Sequence, residues 1–334
     1  MNLGLGHAMR CLALAQAWQK PGGRAVFLMA PTDPALGARL SSEGITQAKM
    51  TAAPGSPDDA RQTIAQARDL MAPLVVVDGY QFDAAYQQLI KTSGLKLLLI
   101  DDNGEAAYYP ADLVLNQNLH AEERLYAHRA PYTRLLLGAN YVLLRREFLP
   151  WQDWRRSYPE TARRILITLG GSDPANLTLR LIQALERVQA PGLEARAVIG
   201  PSNPHREVLQ AAVQHASLPV RLETNVPDIS RLMAWADLAI TGGGTTSLEA
   251  AFMSLPNMIV ILAENQVQLA AKMQESGAAI NMGWFHSLNQ DMLAQSLLGL
   301  AGDPQKRRAM GEQGRLLVNG RGAQSVVDAI LSAI

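Results

Sequence analysis

The sequence predicts an α/β protein made of two doubly wound Rossmann-like domains. Three observations carry this. Short apolar runs alternate with helical stretches along almost the whole chain, the order that builds parallel sheets with helices on their faces. The runs lack the polar alternation of a half-exposed sheet, so they read as strands buried on both sides. The chain has 334 residues, more than one domain usually holds, and the alternation breaks at Pro150-Trp151-Gln152-Asp153-Trp154-Arg155-Arg156.

The chain opens on Gly4-Leu5-Gly6-His7 and runs straight into the helical stretch 8–19. A Gly-x-Gly turn lets the backbone approach a ligand, and a helix N-terminus favours an anion. Histidine is the side chain suited to proton transfer near neutral pH. The pattern fits a catalytic base at the mouth of a sheet. The plainer alternative is a tight βα turn with an incidental histidine. Such a turn normally follows a strand of about five or six residues, and only Met1-Asn2-Leu3 stand before it. The expectation is a missing first strand, because the written start lies downstream of the true one or because the strand is lost.

Strands are then expected at 25–30, 74–78, 96–100, 113–116 and 134–137, with helices at 57–71 and 84–92. These fill a first domain over 1–149, followed by a linker over 150–163. A second domain over 164–322 has strands at 164–169, 195–199, 220–223, 238–241, 257–262 and 279–282. Its helices are expected at 177–189, 204–215, 229–236, 245–253, 266–276 and 290–301. A last helix, 323–334, is expected to pack back on the first domain.

Composition narrows the function. Thirty basic residues balance thirty acidic ones, so no net field favours nucleic acid or an anionic membrane. Aromatics are 5% of the chain, too few for a base-stacking platform. The single cysteine, Cys11, excludes an internal disulfide and fits a reducing cytoplasm. No run reaches the roughly eighteen apolar residues of a membrane span. The six histidines show no paired helical spacing, and no Asp-x-Asp occurs, so no metal site is expected.

Three strand ends look chemical. Ile165 to Leu169 ends in Gly170-Gly171-Ser172-Asp173-Pro174, where Ser172 or Asp173 would cap a helix starting at Pro174 and free N–H groups would line a phosphate. Thr241-Gly242-Gly243-Gly244-Thr245-Thr246-Ser247-Leu248-Glu249 combines three glycines with two hydroxyls at a helix start. That layout suits a diphosphate. It is neither a P-loop nor Gly-x-Gly-x-x-Gly, so a nicotinamide cofactor is not expected. Glu249, one turn in, is placed to accept ribose hydroxyls, or simply sits where the helix dipole favours it. Ala263-Glu264-Asn265-Gln266 offers amides to a sugar, or an N-cap. Val77-Asp78-Gly79-Tyr80 and Asp101-Asp102-Asn103-Gly104 are two further polar strand tips, the second a strong turn signal.

These motifs, with Leu115-Asn116-Gln117-Asn118, the run from Leu136 to Arg145, and Ala263-Glu264-Asn265-Gln266, resemble the GT-B nucleotide-sugar enzymes. Among them the chain is most similar to the UDP-sugar hydrolases of pseudaminic acid biosynthesis. The resemblance implies a GT-B fold, its two domains facing across a cleft. It implies hydrolysis of UDP-2,4-diacetamido-2,4,6-trideoxy-β-L-altropyranose to UDP and the free sugar, with inversion. His7 would position or deprotonate the water. Gly4, Gly6 and Arg10 would lie at the substrate, and Tyr80 would line the sugar pocket. Gly171, Ser172, Gly243, Gly244, Thr245 and Thr246 would hold the diphosphate. Val226 would meet uracil, Glu249 the ribose, and Asn265 and Gln266 the sugar. Gly79 departs from the polar residue expected before the tyrosine. No cofactor is implied, and a cytoplasmic monomer is expected. The alternatives are a GT-B glycosyltransferase using a UDP-N-acetylated sugar, and a non-catalytic nucleotide-sugar-binding protein.

Overall fold

The computed structural model describes residues 5–30, 34–171, 173–188, 190–201 and 203–334. The expected absence of a first strand falls on residues 1–4, outside the described residues. The first elements are α1 (Leu5–Gln19), β1 (Val26–Met29), α2 (Pro34–Ser42), β2 (Thr46–Lys49), α3 (Pro57–Asp69), β3 (Leu74–Asp78), α4 (Ala84–Thr92), β4 (Lys96–Ile100), β5 (Leu113–Asn116) and β6 (Arg134–Leu137). Then come β7 (Arg164–Thr168), α5 (Leu177–Glu186), β8 (Glu194–Ile199), α6 (Arg206–His215), β9 (Val220–Thr224), α7 (Ile229–Trp235), β10 (Leu238–Gly242) and α8 (Thr245–Phe252). The chain ends with β11 (Asn257–Ile261), α9 (Val267–Glu275), β12 (Ile280–Trp284), α10 (Gln290–Ala301), α11 (Pro304–Leu317) and α12 (Gly322–Leu331). Two compact units result: His7–Arg146 with Gly320–Ile334, and Glu147–Asn319.

The first unit holds a four-stranded parallel sheet, ordered β3-β4-β5-β6, and a separate parallel pair, β1-β2. Successive side chains of a strand face opposite sides, which is why β4 needs an unbroken apolar run. Leu98 and Ile100 pack with Ala13, Leu14 and Ala17 of α1 and with Val326, Val327 and Ile330 of α12. Leu97 and Leu99 pack on the other face with Ala60 of α3 and Tyr86 and Ile90 of α4. Leu12 and Ala15, on another side of α1, pack with Leu36, Leu40 and Ile45. One helix therefore roofs both sheets.

The second unit is a six-stranded parallel sheet in the order β12-β11-β10-β7-β8-β9. The chain winds outward from β7 to β9, returns to the centre at β10, and winds the other way. The reversal lies between β7 and β10, and a doubly wound sheet binds ligands outside the carboxyl ends of its strands at such a point.

Several expectations are corrected. α1 begins at Leu5, so Gly6 and His7 lie in its first turn and Gly6 is helical rather than part of a turn. β2, α2 and α11 were not anticipated, because Thr-Gln-Ala-Lys and the polar α11 lack the apolar signal used to find elements. α5 starts at Leu177, where Asp173 caps it, and not at Pro174. The stretch 150–163 is no free linker. Arg156 donates to the carbonyls of Met253, Ala236 and Met233, and the Trp151 indole donates to Ser230. Carbonyls at a helix C-terminus lack intrahelical donors, and Arg156 supplies them to α7 and α8.

Gly322 opens α12 hard against Val142, whose backbone a Cβ would strike. Overpacking of this kind costs about 1–3 kcal/mol. Gly322→Ala should therefore lower the melting temperature by roughly 2–10 °C, which differential scanning calorimetry will read. An unchanged melting curve would show that α12 docks without that close approach.

Candidate active site

The ends of β3, β4 and β5 bring polar side chains to one place under the first turn of α1. Asp78 ends β3, Asp102 follows β4, and Asn118 follows β5. Arg10, one turn after His7, is 5% exposed and reaches both carboxylates. Its Nε and Nη2 donate to Asp78 Oδ2 and Oδ1 at 2.7 and 2.6 Å. Its Nη1 and Nη2 donate to Asp102 Oδ1 and Oδ2 at 2.7 and 3.0 Å. Four of the five guanidinium N–H groups are thus spent inside the protein. These contacts turn Arg10, expected at the substrate, towards Asp78 and Asp102.

Each carboxylate has two further donors. Asp78 Oδ1 lies 2.7 Å from His7 Nδ1, and Oδ2 accepts the Cys11 thiol at 3.3 Å. Asp102 accepts Asn118 Nδ2 at 2.8 Å and the Tyr80 hydroxyl at 3.4 Å. Tyr80 is 43% exposed and meets the His7 ring edge-on, with centroids 5.4 Å apart. His7 is half-buried. Gly79 has φ of +151°, and a Cβ there would meet Gln81. The bend that sets Tyr80 beside His7 therefore favours glycine over the polar residue expected at this position.

Electrostatics follow from this packing. Burial opposes ionisation of Asp78, but the Arg10 guanidinium and then His7 prevail and bring its carboxyl down to about 2. Asp102 is lowered too, against burial, chiefly by Arg10. Burial also opposes the charged guanidinium, yet Asp78 and then Asp102 drive its pKa up. Burial, then the negative Asp78, pushes the Cys11 thiol up, so it donates as a neutral S–H.

Asp78, Asp102 and Asn118 were not singled out from the sequence as site residues. Their signal was present as polar residues directly after buried strands. Asp-Asn-Gly read as a turn, and that reading fits Asp101, which accepts from the N–H groups of Asn103 and Gly104. Its neighbour Asp102 takes one side of the Arg10 guanidinium instead. Asn116 is buried, donating to the Asp102 carbonyl and the Tyr126 hydroxyl.

In the second unit the loops after β7 and β10 flank the reversal point. Gly170 has φ of +92°. The Gly171 carbonyl accepts the Gly200 N–H at 3.1 Å, so this loop rests on the one after β8. Ser172 and Gly4 lie outside the described residues. Asp173 accepts the N–H groups of Leu177 and Thr178 at 2.9 and 2.8 Å. After β10, Gly244 precedes α8 with no side-chain cap; the Ser247 N–H donates to the Gly244 carbonyl at 3.0 Å, and the N–H groups of Thr245 and Thr246 precede the first intrahelical acceptor. Thr245 and Thr246 are half-buried there, and Glu249 is buried one turn on.

Gln266 behaves differently from expectation. Its Oε1 accepts Gly243 N–H at 3.0 Å and Leu262 N–H at 2.9 Å. A Cβ at Gly243 would come within 3.0 Å of the Gln266 Cβ. Gln266 thus pins the glycine loop, and Gly243 has no N–H to offer a phosphate. Asn265 is exposed, and Val226 is half-buried in the loop after β9. Among the described residues no group of three His, Cys, Asp or Glu side chains is arranged to hold a metal.

The depressed Asp78 carboxyl makes stability pH-dependent. A carboxyl held below its unfolded value stabilises the fold above that value, and the contribution is lost as pH falls through the folded one. Between roughly pH 5 and 2, wild-type stability should fall by about 2 kcal/mol more than that of Asp78→Asn, measured by urea unfolding. Equal slopes for the two proteins would refute the assignment.

Residues 165–327 match the glycosyltransferase family 28 C-terminal domain. A Methanocaldococcus jannaschii protein, MJ1062, is 25% identical over 274 residues, 80% of this chain and 54% of its own; the chain spans about half that relative's length. The spore coat polysaccharide biosynthesis protein SpsG of Bacillus subtilis is 29% identical over 241 residues, 70% of this chain and 68% of its own. A Helicobacter pylori protein named pseudaminic acid cytidylyltransferase and UDP-2,4-diacetamido-2,4,6-trideoxy-beta-L-altropyranose hydrolase is 25% identical over 205 residues, 61% of this chain and 36% of its own. The crystal structure of Acinetobacter baumannii MurG superposes with a TM-score of 0.69 at 19% identity, over 98% of this chain and 96% of that one. The two Rossmann-like units of parallel strands have the GT-B fold, and the match to the glycosyltransferase family 28 C-terminal domain falls almost wholly in the second.

Proposed function

We propose that this protein hydrolyses UDP-2,4-diacetamido-2,4,6-trideoxy-β-L-altropyranose to UDP and 2,4-diacetamido-2,4,6-trideoxy-L-altrose, a step of pseudaminic acid biosynthesis. The carrying observation is His7, half-buried and held by one ring nitrogen against a buried, ionised carboxylate. The name of the Helicobacter relative includes this activity and supports the substrate. In this reading His7 activates a water that attacks the anomeric carbon opposite the leaving diphosphate, so configuration inverts. The first-turn N–H groups of α8 and the hydroxyls of Thr245 and Thr246 stabilise the charge growing on UDP, a term often dominant in catalysis. Glu249 accepts ribose hydroxyls, the Val226 backbone meets uracil, and Tyr80 and Asn265 contribute to sugar recognition.

The family 28 domain match favours a second reading, a glycosyltransferase that gives the sugar to an alcohol. A proton and phosphorus NMR time course separates the two. Purified protein, UDP-sugar and no acceptor should yield UDP and free sugar. UDP release only after an acceptor is added would establish transfer, and UDP-sugar binding with no turnover would establish a sensor.

Two variants sharpen the reading. His7→Gln should lower kcat by roughly 10²–10⁴-fold, and full turnover would remove His7 from the mechanism. Gln266→Ala unpins the glycine loop and should weaken UDP binding about tenfold in calorimetric titration. Unchanged affinity would mean the loop holds its shape unaided.

A further inference from the structure

We infer that Asp78 is a positioning residue that fixes His7 as the Nδ1–H tautomer, leaving the Nε2 lone pair as the base. The kinetic part of this inference rests on the hydrolytic reading, while the tautomer itself does not.

The argument is a count of protons. An ionised carboxylate only accepts, with about four lone-pair positions. Asp78 is ionised, and four groups surround it: Arg10 Nε, Arg10 Nη2, the Cys11 thiol and His7 Nδ1. His7 Nδ1 also lies 3.1 Å from Arg10 Nη2, so in isolation it is either donor or acceptor. The neighbours decide. Nη2 has two protons, directed to Asp78 Oδ1 at 2.6 Å and Asp102 Oδ2 at 3.0 Å. The nitrogen nearest His7 therefore has no proton left for it. A bare Nδ1 lone pair 2.7 Å from a carboxylate oxygen would set two acceptors against each other. With a proton on Nδ1, all four groups around Asp78 are donors.

A neutral imidazole with Nδ1 protonated carries its free lone pair on Nε2. Asp78 therefore selects which nitrogen can take a proton, and Arg10 keeps Asp78 ionised and correctly turned. Asp102 is the counterweight: it takes the other side of the guanidinium and is itself held by Asn118 and Tyr80. Asp78 acts through His7, not on a ligand.

The test is a long-range proton–nitrogen correlation spectrum of protein labelled with ¹⁵N-histidine, recorded without substrate at a pH where the ring is neutral. His7 is assigned by its loss in His7→Gln. The expected result is a protonated, pyrrole-type Nδ1 and a pyridine-type Nε2. The reverse pattern in the wild-type protein overturns the inference without any variant having to fold. In Asp78→Asn the amide can turn its NH₂ towards the ring, and the tautomer should shift to Nε2–H. kcat should then fall roughly 10²–10⁴-fold with KM within about threefold, and adding His7→Gln should cost little more, because residues acting as a unit are not additive. An unshifted tautomer, or losses that multiply in the double variant, would overturn the positioning role. A protein with the expected tautomer that leaves UDP-sugar intact would retain the positioning role and lose the hydrolytic reading.

Discussion

The Arg10 guanidinium sits where three separate pieces of chain converge. It rises from α1 and is gripped by carboxylates following β3 and β4. Neither carboxylate is tolerable in that interior alone. Breaking one arm of a buried ion pair typically costs about 3–5 kcal/mol, because the partner charge is left stranded. A planar fork can face two carboxylates at once with defined angles, which a lysine's single ammonium cannot. The same contacts that hold α1 over the sheet edge therefore set the height and rotation of His7, one helical turn away. Fold stability and the placement of the reactive side chain share one interaction.

The second unit reaches a binding geometry by other means. The loops after β7 and β10 offer backbone N–H groups and hydroxyls, with no cluster of paired charges among the described residues. What matters there is the path of the main chain at the reversal of strand order. Gly170 supplies a left-handed residue, Gly171 abuts Gly200, and Gln266 clamps Gly243. Paired charges are concentrated at the strand ends of the first unit, and backbone dipoles at the glycine loops of the second.

Much of this was legible in the sequence, for physical reasons that also mark where legibility ends. Buried parallel strands such as β4, β5 and β10 announce themselves, since both faces must be apolar. β2 does not, since Thr46 to Lys49 lies largely exposed and carries no pattern. The glycine loops were visible because their backbone demands small residues. The roles within them were not. The Gln266 Oε1 accepts from Gly243 and Leu262, and Arg10 is gripped by Asp78 and Asp102. A sequence shows which donors and acceptors exist, but who bonds to whom depends on residues 68 and 92 positions apart meeting in space.

The β1–β2 pair has a consequence for how the first unit breathes. A two-stranded parallel ribbon has little stability of its own, and both strands are at best half-covered. Its apolar cover comes from Leu12 and Ala15 of α1 and from α2. The segment from β1 to β2 is thus a natural unit of subglobal opening, detaching at lower free energy than the four-stranded core. Because α1 is separately bolted to β3 and β4 through Arg10, such an opening bares one side of the helix and leaves the His7 end in place. Amide protons of β1 and β2 would exchange with solvent long before those of β4 and β5, while the first turn of α1 stays seated on Asp78.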